Sequence, residues 1–248
     1  DMYNTAVGYN SGAAVSTGVR NTLIGALAGD ALTDADKNVA VGTSAMTTNI
    51  LGSRSVAVGD SALATQNPAT AADMYNTAVG HGAGSAVTTG THNTLIGGLA
   101  GDALTDADSN VAVGYNSLST NVLGSGSVAI GSGSLWAQNP ATAASMYNTA
   151  IGYDAGNAIT TGVQNTIVGG LAGDALTTGN SNIALGKGAL TADTLGSNAI
   201  AIGKEALATQ NFTTATTNYN VAIGYEAGKA VTTGVQNTLI GGLAGDAI

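Results

Sequence analysis

Short runs of alternating aliphatic and small residues recur along the chain, and each run ends at a glycine. Residues 38–42 read Asn-Val-Ala-Val-Gly, so Val39 and Val41 alternate with Ala40. An alternation of period two is typical of a β-strand, and glycine ends the run because it adopts positive φ without a steric penalty. A second short stretch at 44–46 and a polar turn complete the unit before the next one begins at Ser55. The pattern predicts strand, turn, strand and turn, which is one coil of a narrow β-solenoid.

The glycines that end these runs are regularly spaced. Three equal intervals are followed by one that is four positions longer, and this series of four coils then repeats as a super-repeat. The spacing predicts an all-β parallel β-solenoid (β-roll) of 14 short coils, continuous over residues 1–248. The expected super-repeats are 4–75, 76–147, 148–219 and a partial 220–248. The glycines are Gly8, Gly25, Gly42, Gly59, Gly80, Gly97, Gly114, Gly131, Gly152, Gly169, Gly186, Gly203, Gly224 and Gly241.

Equivalent positions of the coils form columns if the coils stack. The fourth position of the motif is aliphatic in every unit, from Val7 to Ile240, and it is expected to form an inward ladder with the second position facing the same way. The first position is Asn in 11 of 14 units, the exceptions being Ser55, Ser127 and Ala199. Stacked Asn side chains are expected to hydrogen-bond along the solenoid, as in cross-β ladders.

The third position of the motif suggests that several chains pack together. It is Ala in most units, and a larger aliphatic residue recurs there once in every super-repeat. On the face opposite an inward ladder these residues would form an exposed apolar stripe, which usually marks an interface. One coil buries too few side chains to stabilise itself, so stacking and oligomerisation, most simply a trimer, are expected. The predicted interface residues are Leu23, Leu95, Ile167 and Leu239.

Composition narrows the class of partner. The chain has 15 acidic and six basic residues, a net charge of −9 and no Cys. This balance argues against nucleic acid, which needs a basic surface, and against docking on anionic lipid. The sequence lacks the long apolar run that would predict a membrane span. Because the sequence starts at Asp1 without a signal peptide, a mature or excised segment is expected, and its stop inside the fourth super-repeat suggests a piece of a longer fibre.

Three segments resemble a known family. Residues 127–131 read Ser-Val-Ala-Ile-Gly, and residues 55–59 and 199–203 are close variants. They resemble the head repeats of trimeric autotransporter adhesins. The resemblance implies a left-handed parallel β-roll, three chains side by side, an extracellular location at a cell surface, and binding to a host surface glycan or protein. The repeats also resemble phage tail-fibre shafts, which would carry a receptor-binding tip elsewhere and belong to a virion; both alternatives stay open.

Catalysis is not expected. His81 occupies a column that otherwise holds Tyr9, Tyr153 and Tyr225, so the position tolerates unlike side chains. His92 likewise shares its column with Arg and Gln. A catalytic triad needs fixed residue types in fixed geometry. The chain is therefore predicted to be a non-enzyme without a cofactor.

Calcium is the one cofactor with a sequence argument. Residues 97–104 approach the Gly-Gly-x-Gly-x-Asp repeat of calcium-binding β-rolls, but the motif returns only once per super-repeat rather than in tandem. A calcium-stabilised β-roll is therefore an alternative function. The competing interpretation is that these aspartates cap turns. The candidate calcium ligands are Asp30, Asp102, Asp174 and Asp246.

The long coils, which close each super-repeat, are the candidate recognition elements. Their additional positions lie in segments 66–75 and 138–147, and a third copy diverges from Pro to Phe. Repeated loops on one edge could bind glycans or proteins with avidity, or could only adjust register. Trp136 is expected to point outward and could stack on sugars. An ice-binding surface is disfavoured, because pairs such as Thr88-Thr89 recur only once per super-repeat. The recognition candidates are Trp136, Pro68, Pro140 and Phe212.

Overall fold

The structure, a computed structural model, describes residues 2–247. It is an all-β parallel β-solenoid of about 14 coils, so the predicted fold class is confirmed. Asp1 and Ile248, the ends of the predicted solenoid, lie outside the described residues, and so does the last residue of the third calcium-like motif. The chain divides into two compact units, Asp1–Ser125 with Ala141–Ala143, and Gly126–Pro140 with Ala144–Ile248.

The first unit contains one main parallel sheet and a small second sheet. Neighbouring main strands pair in register, for example Thr5 with Thr22 and Val56 with Thr77. The main sheet has the order β1-β2-β3-β5-β7-β8-β9, and β4 pairs with β6. The strands described in this unit are β1 (Thr5–Val7), β2 (Thr22–Ile24), β3 (Val39–Val41), β4 (Gly52–Ser53), β5 (Val56–Val58), β6 (Ala72–Asp73), β7 (Thr77–Val79), β8 (Thr94–Ile96), β9 (Val111–Val113) and β10 (Gly124–Ser125).

The second unit has the same design. Its main sheet has the order β11-β13-β14-β15-β17-β19-β20, and β16 pairs with β18. Its strands are β11 (Val128–Ile130), β12 (Ala144–Ser145), β13 (Thr149–Ile151), β14 (Thr166–Val168), β15 (Ile183–Leu185), β16 (Gly196–Ser197), β17 (Ile200–Ile202), β18 (Thr216–Thr217), β19 (Val221–Ile223) and β20 (Thr238–Ile240). Among residues 2–247 no helix is long and apolar enough to cross a membrane.

The glycine after each main strand is required by direct stacking of the coils. Gly25 has φ of +133°, and a Cβ built there would lie 2.5 Å from the carbonyl oxygen of Gly42 on the next coil. Any side chain at this position would therefore clash with backbone and would also strain a left-handed conformation. The repeated glycine thus lets one coil lie flat against the next.

The strands face the opposite way from the sequence prediction. The middle residue of every main strand from β2 to β19 is buried, as in Ala40 and Ala57, whereas the second and fourth motif positions point outward. Ile24 is 39% exposed and Val79 is 37% exposed. The predicted inward ladder from Val7 to Ile240 is therefore wrong. The two positions do share one face, as expected, but that face is the outer one.

The predicted interface stripe is part of the core. Leu23, Leu95 and Ile167 are fully buried, and Leu239 is partly buried. The physical reason is volume compensation across the coil. A Cβ added to Gly29 would lie 2.8 Å from a Leu23 methyl group, so Leu23 fills the space that this glycine leaves. The prediction that these side chains form an exposed interface stripe is therefore wrong for Leu23, Leu95 and Ile167, and Leu239 of the last coil is only partly exposed.

The asparagine column is a buried hydrogen-bonded ladder, as predicted. Asn21 Nδ2 donates to the carbonyl of Ala35, 2.8 Å away in the same coil. Its Oδ1 accepts from the backbone N–H of Asn38 on the next coil at 2.9 Å. Each side chain therefore closes its own coil and fixes the next one. Most hydrogen bonds of the asparagine column join a side-chain amide to a backbone group. They therefore fix the backbone of two neighbouring coils, which stacking of the amides alone would not do.

Where the asparagine column lacks Asn, a Gln side chain from the long coil supplies hydrogen bonds in its place. Ser55 opens a long coil, and the additional segment of that coil supplies Gln66. Gln66 Oε1 accepts from Ser55 Oγ at 3.1 Å and from Asn76 Nδ2 at 3.0 Å. In the second unit Gln210 Oε1 accepts from Asn220 Nδ2 at 2.8 Å beside Ala199. The long coil therefore brings a buried Gln to each described interruption.

Candidate interaction surface

The outer face of each main sheet is an uncharged, partly exposed surface. We define the outer face as the second and fourth motif positions of the main strands. Its side chains are only Val, Ile, Leu and Thr. In the first unit they are Thr5, Val7, Thr22, Ile24, Val39, Val41, Val56, Val58, Thr77, Val79, Thr94, Ile96, Val111 and Val113. In the second unit they are Val128, Ile130, Thr149, Ile151, Thr166, Val168, Ile183, Leu185, Ile200, Ile202, Val221, Ile223, Thr238 and Ile240.

The extent of the outer face follows from strand geometry. Strands about 4.8 Å apart, with a rise of about 3.3 Å per residue, give each seven-stranded sheet a face of about 340 Å². Contiguous apolar patches of a few hundred Å² commonly mark interaction sites on soluble proteins. Sequence reasoning missed this surface because it placed the same side chains in the core.

A column of long polar side chains borders the outer face of the first unit. We call it the edge column and define it as Tyr3, Arg20, Lys37, Arg54, Tyr75 and His92, each directly before the first motif position. All six have positive φ, between 52° and 62°. Their backbones are fixed by hydrogen bonds between coils, such as Lys37 N–H to the Val19 carbonyl at 2.9 Å. The edge column is therefore a row of side chains on successive coils.

Ring and guanidinium groups stack at one end of the edge column. The rings of Tyr75 and His92 are stacked, with centroids 5.3 Å apart. The Arg54 guanidinium carbon lies 5.8 Å from the centre of the Tyr75 ring, within the range of a cation–π contact. Arg54 Nε also pairs with Asp73 Oδ1 at 2.7 Å, and this hydrogen bond raises the pKa of Arg54 above its usual value.

Carboxylates near the edge column have partners of their own. Asp36 Oδ1 accepts from the backbone N–H of Val19 at 2.8 Å, and Asp34 accepts from the Thr17 hydroxyl. With Asp73 they line a cleft of about 470 Å³. Within residues 2–247 no group of three or more His, Cys, Asp or Glu side chains is placed to hold a metal ion.

The opposite border of the outer face carries aromatic and basic side chains in the second unit. Lys204 Nζ lies 5.4 Å from the ring centre of Tyr225. Lys229 Nζ bridges Glu205 Oε2 at 2.6 Å and Glu226 Oε2 at 3.3 Å. The bond to Lys229 lowers the pKa of Glu205, the bond to Tyr225 lowers that of Glu226, and the bond to Glu205 raises the pKa of Lys229. The ion pair between Lys229 and Glu205 therefore joins neighbouring coils.

The calcium candidates are not brought together. Asp30 Oδ1 accepts from Thr47 Oγ1 at 2.7 Å, and Asp174 Oδ1 accepts from Thr191 Oγ1 at 2.5 Å, each on the following coil. Burial raises the pKa of Asp102, while its hydrogen bond to Ser119 opposes that effect. Asp246 is exposed. The carboxylates of Asp30 and Asp174 therefore fasten a coil to the next coil, rather than capping only their own turn, whereas Asp102 Oδ1 is buried without a hydrogen-bond partner. The calcium-stabilised alternative stays a prediction.

The recognition candidates divide into exposed and buried side chains. Trp136 is 43% exposed, in agreement with its predicted outward orientation. Pro68 and Pro140 are buried, and Phe212 is only 5% exposed, so in the single chain these side chains are not presented to solvent; a role of their segments in recognition stays a prediction. They cover the core beneath the additional segments. The exposed tip of the first segment is instead Ala69, Thr70 and Ala71.

The two histidines lie on different borders of the outer face. His81 follows a strand-ending glycine, and its Nε2 is 3.7 Å from Asp60 Oδ1. His92 lies in the edge column, with Nδ1 3.0 Å from Thr91 Oγ1. Both side chains are exposed. Each contacts side chains of its own border, and the prediction that the chain is not an enzyme stays a prediction.

Comparison of the chain with models of known protein families, with curated protein sequences and with solved structures finds no match. The class of protein that the fold defines is a repeat protein with a parallel β-solenoid.

Proposed function

We propose that this chain is a structural and adhesive segment of an extracellular fibre, in which parallel copies pack through their outer faces. The most economical arrangement is a trimer, with the solenoids side by side. The observation that carries the proposal is the outer face: two uncharged columns of aliphatic or Thr side chains remain partly exposed, although the inward-facing positions of the same strands are buried within the single chain. A surface of this composition gains free energy when a second apolar surface covers it.

Area supports packing along the whole chain. A stable interface buries about 800 Å² on each partner, whereas one unit offers an outer face of about 340 Å². The outer face of one unit is therefore too small by itself, and the side chains at its borders are needed as well. Tyr9 and Tyr153, 74% and 63% exposed, are suited to such a border because aromatic residues are enriched at protein interfaces.

A tail-fibre shaft is the second candidate, and the tips of the additional segments favour it. The first tip presents only Ala69, Thr70 and Ala71, which offer little area or hydrogen bonding for a receptor. In a tail-fibre shaft, this chain would hold a receptor-binding tip at a distance and would not itself bind the receptor. Both candidates are non-enzymatic, act outside a cell and use the same assembly.

The native mass in solution tests the assembly. We expect about three times 23.9 kDa by native mass spectrometry and light scattering, unchanged by a calcium chelator. Ile96→Lys on the outer face should dissociate the trimer, because three buried ammonium groups would have no partner. Thr70→Lys, the same charge on an exposed tip, should leave it intact. A wild-type chain that stays monomeric at all concentrations would refute the proposal, and melting only in chelator would favour the calcium-stabilised roll.

A further inference from the structure

We propose that the edge column of the first unit binds a linear anionic glycan, one that carries carboxylate or sulfate groups. The inference rests on the proposed function, because it names the ligand that the displayed surface would hold. It concerns a border of the outer face rather than the face itself. The geometry points to a row of cations bracketed by aromatic rings.

Positive charge is concentrated at this column against the trend of the whole chain. The chain has six Lys and Arg residues against 15 acidic residues. Three of the six, Arg20, Lys37 and Arg54, occupy the same position of three successive coils. At about 4.8 Å per coil, the three side chains start within about 10 Å of one another along the solenoid.

The fold itself does not need cations at this position. Like charges at equivalent positions of neighbouring strands repel each other and destabilise a sheet. The same corner is occupied by Ser109 and Ser181, which have nearly the same φ of 59° and 57°. A small uncharged side chain therefore satisfies the backbone there. The backbone therefore does not require three stacked cations, and the carboxylates of Asp73 and Asp36 offset the charge of Arg54.

Two of the three cations remain available to a ligand. Arg54 is paired with Asp73 at 2.7 Å. Arg20 and Lys37 are exposed and form no ion pair among residues 2–247. Asp36, the nearest carboxylate in sequence, is held by the backbone N–H of Val19. An arriving carboxylate or sulfate could thus pair with the guanidinium and ammonium groups without displacing an existing salt bridge.

Aromatic rings at both ends of the cations favour a sugar over other polyanions. Tyr3 is 72% exposed and Tyr75 is 47% exposed, and Tyr75 continues into the stacked ring of His92. Exposed rings of this kind offer an apolar face for stacking and a polar edge for hydroxyl groups. A nucleic acid needs a longer basic groove to follow its phosphates, and a chain of net charge −9 does not provide one.

The experiment is surface plasmon resonance of the whole chain on immobilised heparin, polygalacturonate, neutral dextran and inorganic polyphosphate. Heparin supplies sulfates and polygalacturonate supplies carboxylates. We expect binding to at least one of these two and none to dextran. Arg20→Gln with Lys37→Gln should weaken it about tenfold and reduce its salt dependence, since two cationic contacts are lost. The matched control is Lys187→Gln with Lys204→Gln, which removes two cations from successive coils elsewhere and should change affinity less than twofold.

The contribution of stacking is tested separately. Tyr75→Ala should weaken glycan binding about threefold or more but leave polyphosphate binding unchanged, whereas Tyr147→Ala, at the same coil position in the second unit, should change neither. The inference is overturned if heparin and polygalacturonate bind no better than dextran. It is also overturned if polyphosphate binds as tightly as the glycans and Tyr75→Ala weakens neither, or if the control pair weakens glycan binding as much as Arg20→Gln with Lys37→Gln does. Native mass, measured for every variant, separates this test from the assembly test. If the chain is a trimer but binds neither glycan, only the present inference is overturned. If it binds them as a monomer, only the proposal of a trimer is overturned.

Discussion

The asparagine ladder makes a quantitative prediction about stability. In the variant Asn93→Ala two buried groups lose their partners: the carbonyl of Ala107, which accepts from Asn93 Nδ2 at 2.8 Å, and the backbone N–H of Asn110, which donates to Asn93 Oδ1 at 3.0 Å. Asn93 is fully buried between neighbouring coils, so neither group is exposed to solvent in the native stack. Each unsatisfied buried group costs about 1–3 kcal/mol, so the two together should lower the free energy of unfolding by about 2–6 kcal/mol.

The matched control is Ser55→Ala in the same column. Ser55 is equally buried, but its hydroxyl donates to Gln66 Oε1, which also accepts from Asn76 Nδ2. The hydroxyl oxygen accepts from the Asn76 N–H only at 3.4 Å, longer than an ordinary N–H···O bond. The chain already carries Ala199 at an equivalent position. The control should therefore lose less than about 1.5 kcal/mol, the net worth of one hydrogen bond.

Two measurements check the ladder. Denaturant unfolding at fixed protein concentration gives the loss of stability, because association would otherwise shift the midpoint. Amide hydrogen exchange at Asn110 reports the local consequence, since this N–H should exchange much faster in Asn93→Ala only. Equal losses in the two variants, or unchanged protection of Asn110, would show that the stack is held by its core and that the ladder adds little.

Glycine contacts, core packing and surface charge give three further predictions. Gly25→Ala should abolish soluble expression, because its Cβ would lie 2.5 Å from the Gly42 carbonyl, whereas Gly98→Ala, whose Cβ would meet nothing closer than 3.6 Å, should express normally. Leu95→Ala should lower the free energy of unfolding by about 2–5 kcal/mol, measured in denaturant, because it opens a cavity in the core. In the second unit the lowered pKa of Glu205 stabilises the fold above the usual pKa of about 4.5, and that stability is lost as the pH falls through the lowered value. Lys229→Gln should therefore flatten the acid limb of a melting curve measured against pH, and an unchanged limb would contradict this.

The periodicity of the sequence was sufficient to predict the class of fold but not its orientation. An alternation such as Val39-Ala40-Val41 shows which side chains share a face, and not which face is inside. Because Val and Ile are more hydrophobic than Ala, they were predicted to form the core. The interior of a narrow coil, however, has room only for Ala at most positions of its inner column. The deciding signal is the pairing of Leu23 with Gly29, where a large residue is matched by a glycine across the coil.

The candidate ligand site was only partly visible in the sequence. Arg20, Lys37 and Arg54 are spaced at the interval of the short coils, so their stacking could have been predicted from the repeat alone. Their exposure could not, because it depends on the left-handed corner that directs all three outward. The stacking of Tyr75 on His92 likewise depends on how the long coil returns to register, which no local pattern specifies.

The divergent third copy of the long coil contains a coupled pair of substitutions. Asn49 and Pro68 of the first unit correspond to Asp193 and Phe212 of the second. Asp193 is buried, and it accepts hydrogen bonds from the N–H of Gly196 at 3.0 Å, Gln210 Nε2 at 2.6 Å and the N–H of Phe212 at 3.3 Å. A buried carboxylate needs such donors. In the first unit the equivalent amide, Gln66 Nε2, is buried without a hydrogen-bond partner.

The pair predicts a double-mutant cycle in the first unit. Asn49→Asp would give Gln66 Nε2 an acceptor, and the Gly52 carbonyl would keep its bond from Asn38 Nδ2 at 2.9 Å. Pro68 has no N–H to offer as the third donor, so Asn49→Asp alone should be destabilising at neutral pH. Adding Pro68→Phe should recover stability, with a coupling energy of about 1–2 kcal/mol in denaturant unfolding. If the two substitutions were additive within about 0.5 kcal/mol, the donor at Phe212 would have no bearing on the buried Asp193. Phe would then stand in that coil only because it fills the same space above the core as Pro68.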